Sequence, residues 1–307
     1  MISILMATYN GEKYIEEQLE SLFTQTNTDF ILYIQDDAST DSTWKILNRF
    51  YEKYPEKIRL SQLEKNTGNA KFNFLELMAR VQDDYIMLCD QDDVWLPTKI
   101  EETLAKMKEM ETEYPNQPII VHTDLTVVDK DLNIISPSFK YAMESDFTRN
   151  AFPQLLIQNI LTGCTCMYNR RLSEYLVRKP NYCIMHDWWL MLIASAFGKI
   201  GHIDKPTILY RQHGENSVGA QNFRTLAYVL ERVRKGNEIK KAILITFSQA
   251  ESILEVFNDL LPDKYKQMAR QYCAIPKMNK LKRWHTVYTM KALKIGIVRN
   301  IAYFLYI

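Results

Sequence analysis

Three aspartates in four positions follow an apolar run of the sequence and raise the first chemical question. The run Tyr85–Cys89 reads "YIMLC", and Asp90, Asp92 and Asp93 come directly after it in "DQDD". Carboxylates this close repel each other, so they must face water or share a positive charge. A divalent cation such as Mg²⁺ or Mn²⁺ prefers oxygen ligands, and usually one or two carboxylates hold it together with phosphate oxygens. The spacing therefore indicates a metal that a phosphorylated substrate accompanies.

A second interpretation of these acidic residues needs no ligand. Asp90 to Asp93 would then form a surface turn and cap the helix that follows. In the same way, Asp36 and Asp37 of "QDDAS" would only shape a turn, and Asp41 would only cap a helix. The metal is favoured for the first cluster because an apolar strand precedes it and other acidic strand ends are expected nearby.

Strands and helices alternate along the first 115 residues. Apolar runs typical of strands lie at 2–6, 30–35, 57–63 and 85–89. Segments with helical periodicity lie at 12–25, 42–54, 70–81 and 97–111. Such alternation predicts a mostly parallel sheet with helices on both faces, and ligands bind outside the carboxyl ends of such strands. Because three of these ends carry "ATYNG", "QDDASTDS" and "CDQDD", we expect the three polar clusters to meet at one edge.

The remainder of the chain is less regular. Residues 118–129 and a stretch at 207–211 read as strands, 161–169 as a strand or loop, and 186–198 as a helix. Residues after 223 read as helices. We therefore expect three segments: 1–115 as the nucleotide-sugar-binding half of one domain, 116–222 as its acceptor-binding half, and 223–307 as a helical region.

Composition places the chain among ordinary globular proteins. It has 307 residues, of which 47% are hydrophobic and 24% charged. Five scattered cysteines without a CxxC pair fit a reducing cytosol. A strand at the very start leaves no room for a signal peptide, and no run of 18 apolar residues predicts a spanning helix.

The charge is distributed unevenly. Residues 270–307 carry eight Lys or Arg and no Asp or Glu, whereas the first 269 residues carry 30 basic and 37 acidic side chains. The basic segment also contains five exposed-type aromatics from Trp284 to Tyr306. Basic helices with aromatic residues lie on anionic membranes, so membrane association is predicted. Packing on the domain or a homodimer contact are the alternatives, while the acidic body argues against nucleic acid.

Phosphate recognition has to be achieved without the usual glycine-rich loops. Neither GxGxxG nor GxxxxGK[ST] is present. Further along, "HDWW" places Asp187 at the start of an apolar helix, as a base near a sugar or as a cap with both tryptophans in the core. "YRQHG" offers Arg211 and His213 for a diphosphate, or His213 as a metal ligand, or only a polar strand end.

Together these motifs resemble family 2 glycosyltransferases of the GT-A fold. "ATYNG", "DDASTD", "NTGNAKFNF", "CDQDDVWLP", "HDWW" and "YRQHGENSVG" occur in this order over residues 1–220. "YNGEKYI", "CDQDDVW", "HDWW" and "YRQHG" are most similar to bacterial rhamnosyltransferases of cell-wall or capsular polysaccharide synthesis. The resemblance implies an inverting enzyme with a nucleotide-sugar donor and Mn²⁺ or Mg²⁺.

Residue roles follow from the resemblance by position. The residues assigned to the donor are Thr8, Tyr9, Asn10, Asp36, Asp37, Asn66, Lys71, Asp90 and Arg211. Asp92 and His213 are assigned to the metal and Asp187 to the general base. His186, Trp188 and Trp189 are assigned to the acceptor. Because the family commonly has an acidic pair where this chain has His186–Asp187, the resemblance does not define the role of His186.

These observations predict a GT-A glycosyltransferase with a C-terminal helical region. It would transfer L-rhamnose from dTDP-β-L-rhamnose to a lipid-linked saccharide, in the cytoplasm at the inner face of the cell membrane. A UDP-hexose donor is the first alternative. A metal-dependent phosphoester hydrolase using Asp90, Asp92, His122, Asp124 and His213, or a non-catalytic nucleotide-sugar-binding protein, are the others.

Overall fold

The structure is a computed structural model that describes residues 1–213 and 236–307. The described residues form two compact units. The first unit comprises Met1–Phe139, Leu161–Val177 and 198–213, and the second comprises Lys140–Ile160, Arg178–Phe197 and 236–307. The chain passes between the units several times, so their boundaries differ from the three consecutive segments that the sequence predicts. The helical segment predicted at 226–236 lies almost entirely outside the described residues.

One mixed sheet forms the first unit. Its strands are β1 (Ile2–Thr8), β2 (Phe30–Asp36), β3 (Ile58–Gln62), β4 (Tyr85–Cys89), β5 (Val94–Trp95), β6 (Ile119–Val128), β7 (Ile134–Ser136), β8 (Cys166–Asn169) and β9 (Lys199–Arg211). The order is β3-β2-β1-β4-β8-β6-β9-β5, with β7 paired to β6. The strands β1 to β4 are parallel to one another, and β8 is antiparallel to both of its neighbours. The predicted α/β architecture with a mostly parallel centre is confirmed.

Helices connect the strands and build the second unit. In chain order they are α1 (Ile15–Phe23), α2 (Thr43–Lys53), α3 (Ala70–Arg80), α4 (Lys99–Glu113), α5 (Phe139–Ala142), α6 (Phe152–Leu155), α7 (Arg170–Leu176), α8 (His186–Phe197), α9 (Gly236–Phe257), α10 (Asp263–Ala274), α11 (Lys280–Thr289) and α12 (Ile297–Tyr306). Side chains begin two of them: Asn69 accepts a hydrogen bond from Lys71 N, and Asp41 accepts one from Thr43 N at 2.9 Å. Such caps satisfy N–H groups that the first helical turn leaves open.

The register of the sheet brings the polar strand ends together. Thr8 pairs with Asp36, and Met6 pairs with Cys89, so the loops after β1, β2 and β4 leave the sheet at one edge. Because β8 is antiparallel to both β4 and β6, and β9 is parallel to β6, Arg211 at the end of β9 reaches the same edge. This confirms the convergence that the strand–helix alternation predicts.

The second unit is a helical assembly with an aromatic core. The ring centroids of Trp189 and Phe257 lie 6.0 Å apart, and Phe247 lies 4.8 Å from Tyr272. Tyr272 OH also lies 3.3 Å from the hydroxyl of Tyr303 on α12. The last helix is therefore packed into this unit through its buried face. Among residues 1–213 and 236–307, no helix has the length and apolar content needed to cross a membrane.

Candidate active site

A glutamine inside the acidic motif anchors the loop after β4 to the loop after β1. Tyr9 N donates to Gln91 Oε1 at 2.8 Å, and Gln91 Nε2 donates back to Tyr9 O at 3.0 Å. A Cβ atom on Gly11 would lie 2.6 Å from Gln91 Oε1, so only glycine fits beside this amide. The reciprocal pair orients the flanking Asp90 and Asp92, and the sequence analysis did not identify it.

Asp92 and His213 form a direct pair at the carboxyl edge of the sheet. His213 Nε2 lies 2.8 Å from Asp92 Oδ2, and their side chains retain 11% and 17% exposure. The Tyr14 ring lies 4.8 Å from the imidazole, centroid to centroid. Both residues were predicted as metal ligands from segments 121 positions apart, and the fold brings them into contact. Their polar atoms lie close enough together to hold one cation.

Arg211 is buried and acts as a clamp between four segments. Its Nε donates to Asp92 O at 2.8 Å, its Nη1 donates to Lys130 O at 2.6 Å, and its Nη2 forms an ion pair with Glu17. Its guanidinium carbon lies 4.8 Å from the centroid of the Tyr14 ring. Because these groups occupy the guanidinium, the geometry supports a positioning role, and the diphosphate contact stays a prediction.

The third aspartate of the motif differs from its neighbours. Asp93 is fully buried, and its Oδ1 accepts a hydrogen bond from Arg211 N at 3.1 Å. Burial, and then the charges of Asp92 and Asp90, raise the pKa of Asp93 well above its usual range. A neutral carboxyl at this position ties the motif to the end of β9 without adding to the repulsion.

The donor atoms at this edge include one set that fits a hard cation and one that does not. Ligand atoms of Asp90, Asp93 and Cys164 lie within 4.8 Å of one another. Burial raises the pKa of the Cys164 thiol well above its usual range, so neither this thiol nor the neutral Asp93 is a good ligand for Mg²⁺ or Mn²⁺. The partly exposed Asp90 and Asp92, with His213, have the appropriate chemistry.

Asp36 and Asp37 organise the neighbouring loops. Asp36 is fully buried and accepts hydrogen bonds from Thr8 Oγ1 at 2.8 Å, Ser39 N at 2.9 Å and Gln62 Nε2 at 3.0 Å. Asp37 accepts from Thr67 N at 2.9 Å and from Thr67 Oγ1 at 2.8 Å. Both carboxylates thus shape the loops at the strand ends, which was the alternative interpretation of these residues. Contact with a pyrimidine stays a prediction for both.

The other donor residues surround the same edge of the first unit. Tyr9 is 44% exposed, and Asn10 adopts a left-handed backbone (φ 46°) while its Oδ1 accepts from Thr40 N at 2.9 Å. Asn66 accepts a hydrogen bond from Gly68 N in the loop after β3, and Lys71 lies in the first turn of α3. Each follows the carboxyl end of a parallel strand, so they surround one shared surface.

The predicted base belongs to the second unit. Asp187 lies in the first turn of α8, where its Oδ1 accepts a hydrogen bond from Trp188 N at 2.6 Å. The preceding residue His186 is buried, and burial lowers its pKa to about 3. A neutral imidazole therefore packs beneath the start of the helix that presents Asp187.

The two tryptophans after Asp187 have different environments. Trp188 is partly exposed, and its Nε1 donates to Leu155 O at 2.6 Å. Trp189 is fully buried and stacks on Phe257. The geometry of Trp189 favours the core-packing alternative, whereas the acceptor-binding roles of Trp188 and His186 stay predictions.

Sequence reasoning missed a buried lysine beside the acidic motif. Lys99 is fully buried at the start of α4, and its Nζ lies 4.6 Å from the centroid of the Trp95 ring. Burial lowers its pKa to about 8. The position of Lys99 in a helix that follows "WLPT" resembles an ordinary exposed lysine, so no local signal identified it.

The rival hydrolase ligand set is not assembled at this edge. His122 and Asp124 are both buried within β6. Asp124 Oδ1 accepts hydrogen bonds from Leu125 N at 2.8 Å and Phe139 N at 3.1 Å. Asp124 thereby fixes local backbone, which weakens the hydrolase interpretation.

Comparisons with known proteins agree with this architecture. The model of "Glycosyl transferase family 2" matches residues 3–176. A "dTDP-rhamnosyl transferase RfbG" of Shigella flexneri is 33% identical over 229 residues, which cover 70% of this chain and 74% of the relative. A "Putative teichuronic acid biosynthesis glycosyltransferase TuaG" of Bacillus subtilis is 29% identical over 204 residues, 66% of this chain and 75% of the relative.

Solved structures of glycosyltransferases share the fold. S. aureus TarS 1-349 in complex with UDP-GlcNAc aligns with a TM-score of 0.56 and 20% identity over 94% of this chain and 72% of TarS 1-349. The mannosyltransferase PcManGT from Pyrobaculum calidifontis, in complex with GDP-Man and Mn²⁺, aligns with a TM-score of 0.52 and 17% identity, covering 95% and 74%. With the sheet edge, the acidic motif and the matched model, the chain belongs to glycosyl transferase family 2 and has the GT-A fold.

Proposed function

We propose that this glycosyltransferase moves L-rhamnose from dTDP-β-L-rhamnose to a lipid-linked saccharide, with inversion at the anomeric carbon. The observation that carries the proposal is the shared edge where Asp92 meets His213 and where the loops after β1, β2 and β4 emerge. The relative named as a dTDP-rhamnosyl transferase supports the choice of donor. The product would serve bacterial surface polysaccharide synthesis.

The donor would lie across the strand ends of the first unit. Thr8, Tyr9 and Asn10 would line the nucleotide pocket, with the exposed Tyr9 ring available for stacking. The loops held by Asp36 and Asp37 would surround the base. Asn66 and Lys71 would approach the base or ribose from the start of α3. A preformed pocket of this kind lowers the entropy lost when the donor binds.

The diphosphate would be neutralised by Mn²⁺ or Mg²⁺ held by Asp90, Asp92 and His213. When bound, the ion supplies Lewis-acid stabilisation of the negative charge on the departing diphosphate. The chain holds the ligands in position: Gln91 secures the loop from one side, and Arg211 secures it from the other. The neutral Asp93 keeps the motif from accumulating a third negative charge.

Asp187 would act as the general base. Its carboxylate takes the proton from the acceptor hydroxyl as that oxygen attacks C1, while the bond to the diphosphate breaks. The sugar passes through an oxocarbenium-like state, as in glycoside chemistry. A single displacement of this kind inverts the anomeric configuration. Holding both substrates in line supplies much of the remaining acceleration.

A UDP-hexose donor is the second candidate. It is supported by the fold shared with TarS 1-349, whose structure contains UDP-GlcNAc. Pyrimidine and diphosphate would be recognised by the same loops, so the two candidates differ only in the sugar. A direct comparison of donors separates them.

The enzyme would work in the cytoplasm, peripherally on the inner face of the cell membrane. The basic and aromatic segment 270–307 supports this location, because anionic headgroups attract it and a lipid-linked acceptor is presented there. The homodimer expected as an alternative stays a prediction.

The test is a donor screen followed by transfer. Thermal stabilisation by dTDP-rhamnose, UDP-glucose, UDP-galactose and UDP-GlcNAc is measured with and without Mn²⁺, since a ligand that binds only the folded state raises its stability by about 2.7 kcal/mol at 100 times its Kd. We expect the largest metal-dependent shift with dTDP-rhamnose. Radiolabelled donor and a lipid-saccharide acceptor then measure transfer. Stabilisation without transfer would indicate a binding protein, and release of free sugar phosphate to water would indicate a hydrolase.

A further inference from the structure

The last helix of the chain turns an aliphatic face to the outside. Ile297, Val298, Ile301 and Leu305 on α12 are all exposed, and Ile297 reaches 79%. At 3.6 residues per turn, positions i, i+1, i+4 and i+8 lie on one side of a helix. The exposed side of α12 therefore consists of branched aliphatic residues.

The polar residues of α12 point the other way. Tyr303 and Ile307 are buried, Arg299 Nη2 donates to Met143 O at 2.8 Å, and Asn300 Nδ2 donates to Gly296 O at 2.8 Å. A helix on the surface of a water-soluble protein normally shows the opposite arrangement, with its apolar stripe against the core. The inverted pattern means that water is not the solvent for which the outer side of α12 is built.

The preceding helix α11 extends this surface. Leu281, Trp284 and Tyr288 lie at i, i+3 and i+7, and Leu281 and Tyr288 are 75% and 70% exposed. Trp284 Nε1 donates to Phe304 O of α12 at 2.7 Å, and the Trp284 and Phe304 rings lie 6.2 Å apart, edge to face. The two helices thus touch at Trp284, so that their apolar sides adjoin. We call these three residues and the four on α12 the outer face.

Positive charge surrounds the outer face. Lys280 and Lys282 belong to α11, Lys277 precedes it and Lys291 follows it. The Lys280 ammonium lies 5.5 Å from the centroid of the Trp284 ring. No Asp or Glu occurs in residues 264–307 to neutralise these lysines. An apolar surface with an indole at its centre and lysines beside it matches the depth profile of a bilayer interface, where aromatic rings and lysines lie among headgroups.

We propose that the outer face is the membrane-binding surface of the enzyme, with α11 and α12 lying in the plane of an anionic bilayer. The aliphatic side chains would enter the acyl region, Trp284 and Tyr288 would lie at the headgroup boundary, and the lysines would contact anionic lipid. The ten residues of α12 extend about 15 Å, half of the hydrocarbon thickness, so the helix lies along the surface. The inference rests on the proposed function for its purpose, which is access to a lipid-linked acceptor.

The test uses the full chain and sedimentation with two kinds of vesicle. One contains equal parts of phosphatidylglycerol and phosphatidylcholine, and the other contains phosphatidylcholine alone. Wild type is expected to pellet with the anionic vesicles and to be released by high salt. Ile297→Gln/Ile301→Gln/Leu305→Gln should lower partitioning more than about tenfold, because the apolar contribution is removed. Lys280→Gln/Lys282→Gln should lower it about 30-fold at low salt, at about fivefold per basic residue near an anionic surface.

Matched controls come from exposed positions outside the outer face. Val177→Gln/Leu260→Gln removes exposed aliphatic residues, and Lys45→Gln/Lys53→Gln removes two lysines, one of which lies over an aromatic ring as Lys280 does. Both controls should pellet like wild type. Equal pelleting of the outer-face variants and their controls would overturn the proposal.

Two further measurements keep this result separate from the proposed function. Donor binding by every variant, measured by thermal stabilisation, should equal that of wild type, which shows that the variants are folded. Light scattering should give one mass at all concentrations for wild type and variants. A concentration-dependent mass that the α12 variant abolishes, without vesicle binding by wild type, would assign the outer face to a second copy and refute the membrane. Failure of sugar transfer with intact vesicle binding would refute the proposed function alone.

Discussion

The buried imidazole beside the proposed base gives a prediction with a calculable magnitude. Burial lowers the pKa of His186 to about 3 from a usual value of 6.5, so folding favours the neutral ring. The stability contributed by the neutral ring is fully present above pH 6.5 and is lost as the pH falls toward 3. Each pH unit in this window costs about 1.4 kcal/mol, so moving from pH 6.5 to 4.5 should remove about 2.7 kcal/mol.

Replacing His186 isolates this contribution from the carboxylates that titrate in the same range. Urea unfolding, followed by tryptophan fluorescence at several pH values, gives the free energy of unfolding for wild type and for His186→Gln. Between pH 6.5 and 4.5, wild type should lose about 2.7 kcal/mol more than the variant. His285→Gln removes an exposed histidine of α11 and should follow wild type.

Parallel pH profiles for wild type and His186→Gln would refute the reasoning. They would mean that the imidazole reaches water and becomes protonated without cost. In that case His186 would be available to an acceptor, as the resemblance implies. A steeper profile in wild type supports a structural role beneath Asp187.

Three further predictions concern other charged groups. The folded-state pKa of Lys99 is lowered from 10.5 to about 8, so its stabilising neutral form is lost as the pH falls through 8; Lys99→Met should raise the free energy of unfolding at pH 7 by about 3 kcal/mol, with no difference above pH 10.5. Asp187→Asn should lower transfer at least about 100-fold while donor binding, measured by calorimetry, is retained; full activity would reject the base. Arg211→Gln should cost about 3 kcal/mol because it breaks a buried ion pair, whereas the exposed Arg49→Gln should cost almost nothing; equal urea midpoints would exclude the clamp.

The strongly periodic elements were predictable from the sequence. "YIMLC" predicted β4 with its observed ends, and the helix predicted at 70–81 is observed at Ala70–Arg80. Apolar alternation and capping residues act within a few positions, so a local pattern contains them. The edge with the acidic motif followed from the strand order, since parallel strands place all their carboxyl ends together.

Long-range pairing was not predictable. β9 begins at Lys199, eight residues before the predicted strand, because "KIGHIDKP" contains charges and a proline that break the apolar pattern. The antiparallel insertion of β8 brings Cys164 to Asp90, although 74 positions separate them. The clamp at Arg211 likewise depends on partners from four segments. Such contacts follow from strand pairing, which a single sequence does not display.

The same limit applied to the roles of charged side chains. Arg211 and Asp93 were read as polar residues near a ligand, whereas both are buried and hold the loop in place. Residue type alone does not separate a group that touches a substrate from one that supports its neighbour. Burial and hydrogen-bond partners separate them, and these exist only in the folded chain.

Calorimetry of dTDP-rhamnose binding, with and without Mn²⁺, tests the central claim most directly. Wild type should bind the donor more tightly when Mn²⁺ is present, because the ion links the diphosphate to Asp92 and His213. Asp92→Ala should bind weakly and equally in both conditions, while the exposed Asp29→Ala should behave like wild type. A full Mn²⁺ enhancement in Asp92→Ala would contradict the account.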